Sequence, residues 1–442
     1  MIQLYRKECK KLFCKKVTLL LFLLAVIFGF AGAGTNMPSY EYSEGYVQSG
    51  QLLTGSRAEQ EYYRIQHEYA GDVDEAWLTK VKADLKQSEL QDTLMLVDEV
   101  NMKKVYGEDW KALYLSDPDS YEIYTEKVIT EIKKENPEAE IGKAYYVLDY
   151  GNSIKTIALQ DMVNYGSTFV GKPWNSASSK TMELSDGRII ETQPYFPRED
   201  MSKGETEYLT SKYNQVDSFY YDHYEGWDNL LSGLATARFF VAIVIIFATS
   251  RLLNEDHSYE MYDIIKSTSY GKQKLVFVKL LALATFCIAT VAMYSLILTL
   301  SAYFLHGLGN WNVSMIALTN RLNYYTIQEA YFGGIGNLMI GALSIGSLCA
   351  CLSALIKKNY ISFLISIVLV IIPVLILPSA ILQLVPLEYM DFAGIFFNNS
   401  VTSLLGSYQS ILPIIYTTSS LVILLTLIIT VISYRSYHIV KA

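Results

Sequence analysis

The sequence predicts an α-helical polytopic membrane protein: six transmembrane helices carrying one mainly helical α+β extracellular domain. Three observations lead there. Apolar residues make up 51% of the 442 and charged ones 18%, with a mean hydropathy of +0.21, more apolar than a soluble chain of this length. Charge is segregated: residues 35–228 hold 36 acidic and 19 basic side chains and the remainder 8 and 17, an acidic polar block inside a slightly basic apolar frame. That frame falls into charge-poor runs, each long enough for a hydrocarbon core that needs roughly 20 residues per helix. The same figures exclude a disordered chain and a small disulfide-stapled secreted domain.

Residues 1–16 set Ile2, Tyr5, Cys9, Leu12 and Phe13 at helical spacing opposite a basic face, the pattern of an amphipathic helix lying on the inner leaflet. Residues 17–34 are the first span. A cleaved signal peptide is the alternative, but the apolar run is long for one and the Gly29–Gly34 segment is a loose cleavage site. After the block 35–228, spans two and three cover 229–250 and 275–305, separated by the loop 251–274. Residues 306–332 form an outer loop, and 333–356 and 360–385 the fourth and fifth spans, the latter kinked by Pro373 and Pro378. An outer segment 386–410 leads to the sixth span, 411–434, and a tail, 435–442. Arg6, Lys7, Lys10, Lys11, Lys15 and Lys16 put the N-terminus in the cytoplasm. Six spans then bring Arg251–Lys279, Lys357–Lys358 and Arg435–Lys441 to the same side, so both termini are cytoplasmic in a plasma membrane.

Within the polar block, Asp72–Glu75 reads as a helix start, followed by Trp77, Val81, Leu85, Leu90, Leu94 and Val97 at helical spacing. Tyr121–Lys134 is a second amphipathic helix. Ser185–Arg188 joins Thr181–Leu184 to Ile189–Thr192 as a β-hairpin. The block contains none of the five cysteines, which fits the outer surface of a Gram-positive bacterium. It holds 20 of the 35 tyrosines, open to a ligand-binding reading or to an ordinary domain core. Phe219, Tyr220, Tyr221, Tyr224 and Trp227 read as an aromatic belt at the outer headgroups.

Catalytic signatures are missing. The sequence has no phosphate loop, no H-E-x-x-H and no G-x-S-x-G. His67, His223, His257, His306 and His438 are scattered, and Cys349-Leu-Cys351 is too short and apolar to hold a metal, so neither a catalytic set nor a metal site is expected. Small residues recur every four positions in two spans, Ala25, Gly29 and Ala33 in the first and Ala342, Gly346, Ala350 and Ala354 in the fourth, as packing seams. Arg238 is the one Lys, Arg, Asp or Glu well inside a span. It reads as a pathway-lining charge or as a snorkelling side chain.

The loop after the second span opens on the acidic pair Glu255-Asp256. A short helical pattern with Tyr262, Ile264 and Ile265 on its apolar side follows, then Ser267-Thr-Ser269 and a basic turn into Lys279-Leu-Leu281. It resembles the coupling-helix loop of type-2 ATP-binding-cassette (ABC) exporter permeases. Glu260-Met261, Ser269 and Lys272 stand where that family has Gly-Thr, Pro and Arg. The resemblance extends to the six-span order, the interfacial N-terminal helix and the outer segment before the last span, which in the family forms short re-entrant helices. It does not cover residues 35–228.

The resemblance implies a non-catalytic permease subunit exporting an amphipathic peptide, lipid or drug; self-protection against an antimicrobial peptide would be one use. Glu255, Asp256, Tyr259, Tyr262, Ile264 and Ile265 would meet the motor. The partners would be two copies of an ABC ATPase, a second permease, identical or homologous, and membrane lipid, with no nucleic acid. This chain would bind no cofactor, ATP and Mg residing on the ATPase. The alternative is a membrane-anchored receptor or sensor whose extracellular domain binds a ligand.

Overall fold

A computed structural model describes residues 2–34, 46–48, 51–53, 56–95, 107–109, 130, 134, 153–170, 180–183, 189–192, 202–213, 219–254, 274–319, 323–356, 358–376, 385–397, 401–404 and 407–436. The chain is mainly helical. In order, the described elements are α1 (Ile2–Phe13), α2 (Lys16–Gly34), β1 (Tyr46–Gln48), β2 (Gln51–Leu53), α3 (Ser56–Glu68), β3 (Gly71–Val73), α4 (Glu75–Met95) and α5 (Ile154–Phe169). Then come β4 (Lys180–Glu183), β5 (Ile189–Thr192), α6 (Lys203–Tyr213), β6 (Phe219–Tyr221), α7 (Glu225–Thr249), α8 (Lys274–Leu305) and α9 (Ile316–Thr319). The remainder is α10 (Ile327–Leu355), α11 (Asn359–Ile376), β7 (Val401–Leu404), β8 (Ser407–Ser410) and α12 (Leu412–Ser436). Among the described residues the strands pair antiparallel in twos: β1 with β2, β3 with β6, β4 with β5 and β7 with β8.

Four of these helices, Glu225–Thr249, Lys274–Leu305, Ile327–Leu355 and Leu412–Tyr434, are long and apolar enough to cross a membrane. Lys16–Phe28 and Asn359–Val374 are apolar but shorter. At 1.5 Å per residue α8 is about 48 Å long, more than a hydrocarbon core requires. Leu20, Leu23, Phe277, Leu281, Leu296, Leu364, Leu424 and Ile432 are exposed, as helix surfaces solvated by lipid would be. The chain divides into two compact units: 1–36 with 177–216 and 224–442, and 37–176 with 217–223. The polar block expected as one domain is therefore split between them.

In the apolar unit α7 and α8 run antiparallel, the start of each beside the end of the other. Gly307, at φ +74°, ends α8 with its N–H on the Tyr303 carbonyl, and the chain there runs so close to Gly226 that a Cβ on Gly226 would meet the Gly307 oxygen. Beside it Trp227 is fully buried, donating Nε1–H to the Gly309 carbonyl at 3.0 Å, its ring 4.4 Å from that of Trp311. Trp227 is thus a packing core at the α7–α8–α10 corner, not the lipid-facing belt residue expected. Tyr221 departs from that expectation too: it is buried in β6 against Trp77 and Tyr165. Five aromatics in nine residues look alike at any interface; a strand inside that run is set by pairing with distant Gly71–Val73.

In the fourth-span ladder Ala342 and Ala350 are buried and Ala354 is half-buried, and a Cβ on Gly346 would press on Cys287 Sγ of α8 at 2.8 Å. Ala25 is buried on α2, which packs on α7 and stacks Phe28 on Phe240 at 4.9 Å; the side chains of Gly29 and Ala33 lie outside the described residues. The amphipathic helix α1 packs against α8, Tyr5 hydrogen-bonded to Thr285 at 2.7 Å and the Phe13 ring 5.0 Å from Phe286. Pro373 sits inside α11; Pro378 lies outside the described residues.

The other unit is built on α3, α4 and α5. Ala58, Ile65, Val81, Leu85, Ile154, Ala158, Leu159 and Met162 are buried there. Asp74, within the expected start signal, caps α4 by accepting the Trp77 N–H at 2.7 Å. The β4–β5 hairpin, which belongs to the first unit, pairs Glu183 with Ile189, its first strand starting one residue before the expected Thr181; the expected helix Tyr121–Lys134 lies outside the described residues apart from Thr130 and Lys134.

Candidate functional site

Where α7 ends, the chain turns through Arg251–Asn254 into residues 255–273, which lie outside the described residues and carry Glu255, Asp256, Tyr259, Tyr262, Ile264 and Ile265. The root of that loop is held by a buried polar cluster. Ser353 Oγ on α10 accepts the backbone N–H groups of Leu253 at 2.9 Å and Asn254 at 3.1 Å. Asn254 Nδ2 donates to the Ile356 carbonyl at 3.1 Å, which occupies an otherwise orphaned acceptor just past the end of α10. From α8, the Lys279 ammonium donates to the Leu252 carbonyl at 2.8 Å; from α11, the Ser362 hydroxyl donates to the Ser250 carbonyl at 3.1 Å. Lys279, Asn254, Ser353 and Ser362 are all buried. An ammonium at a helix C-terminus also meets the negative end of the helix dipole. The result is a joint in which the C-terminal ends of α7 and α10 and the N-terminal regions of α8 and α11 are tied to one short turn.

The second charged feature is Arg238, mid-way along α7. Its Nη1 lies 3.0 Å from Asp391 Oδ1 and 3.4 Å from both oxygens of Glu388. The guanidinium also rests over the Phe239 ring at 4.9 Å. Neither expected reading anticipated these carboxylates. They come from the segment between α11 and α12, where Glu388–Met390 forms a 3-10 turn and Ala393–Phe397 a π-helical turn. Leu387, Tyr389, Met390, Phe392, Ile395 and Phe396 are buried. This segment seats on a glycine face of α10: a Cβ on Gly333, Gly334 or Gly341 would collide with Phe396, Phe392 or Met390. Burial raises the Glu388 pKa above the ordinary carboxylate range, against the opposing pull of Arg238 and with a further upward push from Asp391. The hairpin β7–β8 follows, and α6 docks on it: Ser202 donates to the Tyr408 hydroxyl at 2.7 Å and Tyr208 accepts from the Ser410 backbone N–H at 3.1 Å.

In the other unit, a cluster appears that the sequence spacing hid. His67 on α3 and the Asp222-His223 pair just after β6 converge, although the histidines are 156 positions apart in the chain. The only local sign was an Asp-His dipeptide, common in any acidic segment. Comparison with protein-family models, curated proteins and solved structures gives no match.

Proposed function

We propose that this chain is the membrane-spanning permease subunit of an ABC exporter, driven by ATP hydrolysis on a separate ATPase that grips residues 255–273. The four long apolar helices, together with Lys16–Phe28 and Asn359–Val374, supply its six spans, with the acidic block outside the plasma membrane. The carrying observation is the buried joint at the root of that loop. A short element moved by closing ATPases does work on a permease only if its displacement reaches several spans at once. The turn Ser250–Asn254 is hydrogen-bonded to α8, α10 and α11. A nucleotide-driven shift between inward- and outward-facing states requires a different binding free energy for each state, and ATPase closure on the loop provides that difference. The segment 385–397, locked to α7 through Arg238 and to α10 through its glycine face, then moves with those spans as the outer gate. The cargo class that suits such a gate beside lipid is amphipathic: a peptide, lipid or drug.

The test is co-expression and reconstitution with a candidate ABC ATPase from the same genome. The complex is expected to co-purify and hydrolyse ATP, and altering Glu255, Asp256 and Ile264 together is expected to lower coupled turnover at least tenfold. Unchanged turnover in that variant, or a chain that purifies without any ATPase and binds an external ligand instead, contradicts the proposal and favours a receptor.

A further inference from the structure

We propose that His67, Asp222 and His223 form a binding site for one zinc-class divalent transition-metal ion. The proposal is independent of the permease reading, since all three residues belong to the unit 37–176 with 217–223.

The fold brings the three together by strand pairing. β3 follows α3 after a two-residue link and pairs with β6 so that Gly71 stands opposite Tyr221. This sets the last turn of α3, with His67, beside the residues that leave β6, Asp222 and His223. One nitrogen from each imidazole and one carboxylate oxygen lie within 4.8 Å of one another. His67 Nδ1 is 2.9 Å and His223 Nδ1 3.3 Å from the same oxygen, Asp222 Oδ1. Zinc bonded at about 2.0–2.1 Å in a tetrahedron sets its donors roughly 3.3 Å apart, so the two nitrogen–oxygen separations are near those of a filled site before any metal arrives. Both imidazoles can offer Nδ1 as a lone pair by carrying their proton on Nε2.

The surroundings bury or stack two ligands and leave the third exposed to solvent. Asp222 is buried, its Oδ1 also accepting the His223 backbone N–H at 2.8 Å. The His223 ring is stacked on Tyr63 at 5.6 Å, and Tyr63 is itself held by Glu59 at 2.5 Å. Next to His67, Gln66 is buried and donates to the Tyr221 hydroxyl at 3.0 Å, which pins the end of α3 to β6. The His67 side chain, by contrast, is 69% exposed, so an ion has an entry path and the fourth position faces solvent. Two imidazoles and one carboxylate with an open position select zinc, cobalt or nickel over calcium or magnesium, which take oxygen ligands.

The experiment uses the full chain in detergent, stripped with a chelator and titrated with Zn2+ against a chromophoric competitor. One ion per chain is expected. H67A, at an exposed position, is expected to keep the parent circular dichroism spectrum, and H67A and H223A are each expected to weaken binding at least tenfold; H306A, remote in sequence and in the other unit, is expected to bind as the parent does. Co2+ is expected to give intense tetrahedral ligand-field bands that H67A loses. No stoichiometric uptake by the parent, or parent-like affinity in H67A or H223A, overturns the proposal and leaves a carboxylate that merely anchors two imidazoles by hydrogen bonds.

Discussion

Replacing Arg238 by methionine is expected to destabilise the folded chain by about 2–4 kcal/mol. Removing one partner of a fully buried ion pair costs roughly 3–5 kcal/mol, because the remaining charge is left without compensation. Here the side chains of Arg238, Glu388 and Asp391 are 21%, 16% and 22% exposed, so solvent screening discounts that range by about 1 kcal/mol. Two carboxylates are orphaned at once, and the segment they anchor loses its tie to α7. Neutralising them in the same chain, R238M with E388Q and D391N, is expected to recover most of the loss, since a buried pair replaced on both sides is often neutral in stability. Thermal unfolding in detergent reads both effects. The pH dependence gives a second readout. Burial holds the folded Glu388 carboxyl above its unfolded value, so the folded state binds more protons across that window. Stability therefore falls as pH climbs from the ordinary carboxylate range to the raised value. E388Q is expected to flatten that slope and R238M to extend it upward, because the lowering influence of Arg238 is gone.

At the opposite end of the bundle, Ser353→Ala is expected to uncouple the loop from the spans. Ser353 Oγ accepts two buried backbone N–H groups, and leaving a buried donor unpaired costs about 1–3 kcal/mol each. The turn Leu252–Asn254 then keeps its ties to Lys279, through the Leu252 carbonyl, and to Ile356, through Asn254, but loses the one to the α10 side chain. On the proposed function, ATP turnover should persist while transport per ATP drops severalfold, and Ser353→Thr, which retains the acceptor, should restore it. A fall in turnover and transport together, without rescue by threonine, would indicate simple structural damage.

Much of the apolar scaffold was legible because a bilayer imposes a one-dimensional rule on the sequence: charge-free length. Both boundaries of α7 and α10, the start of α8 and the end of α12 fell near a charged residue, whereas the end of α8 and the start of α12 lie inside uncharged runs. The N-terminal amphipathic stripe and the Ile189–Thr192 hairpin also followed from local periodicity. What periodicity does not encode is pairing across the chain. Arg238 was visible as an anomaly, but Glu388 and Asp391 stand 150 residues or more away and belonged to a segment read only for its apolar residues. Ser353 and Asn254 are ordinary residues for helix ends, and their joint follows from the C-terminal ends of α7 and α10 meeting. His67 and His223 looked scattered because a β3–β6 pairing of three residues each, too short to signal itself, brings them together. Trp227 was misplaced for a related reason: an aromatic at a span terminus meets headgroups or protein according to what the neighbouring loop does.

The account rests on residues 255–273 facing the cytoplasm and touching a motor. A cysteine introduced as Ile264→Cys, in a chain whose five native cysteines are replaced, tests both halves at once in intact and permeabilised cells. The account predicts that a membrane-impermeant thiol reagent labels it only after permeabilisation, and that a short bifunctional reagent joins it to an ABC ATPase with a yield that changes when ATP is added. Labelling from outside intact cells, or a cysteine that joins to no ATPase under either condition, would contradict it.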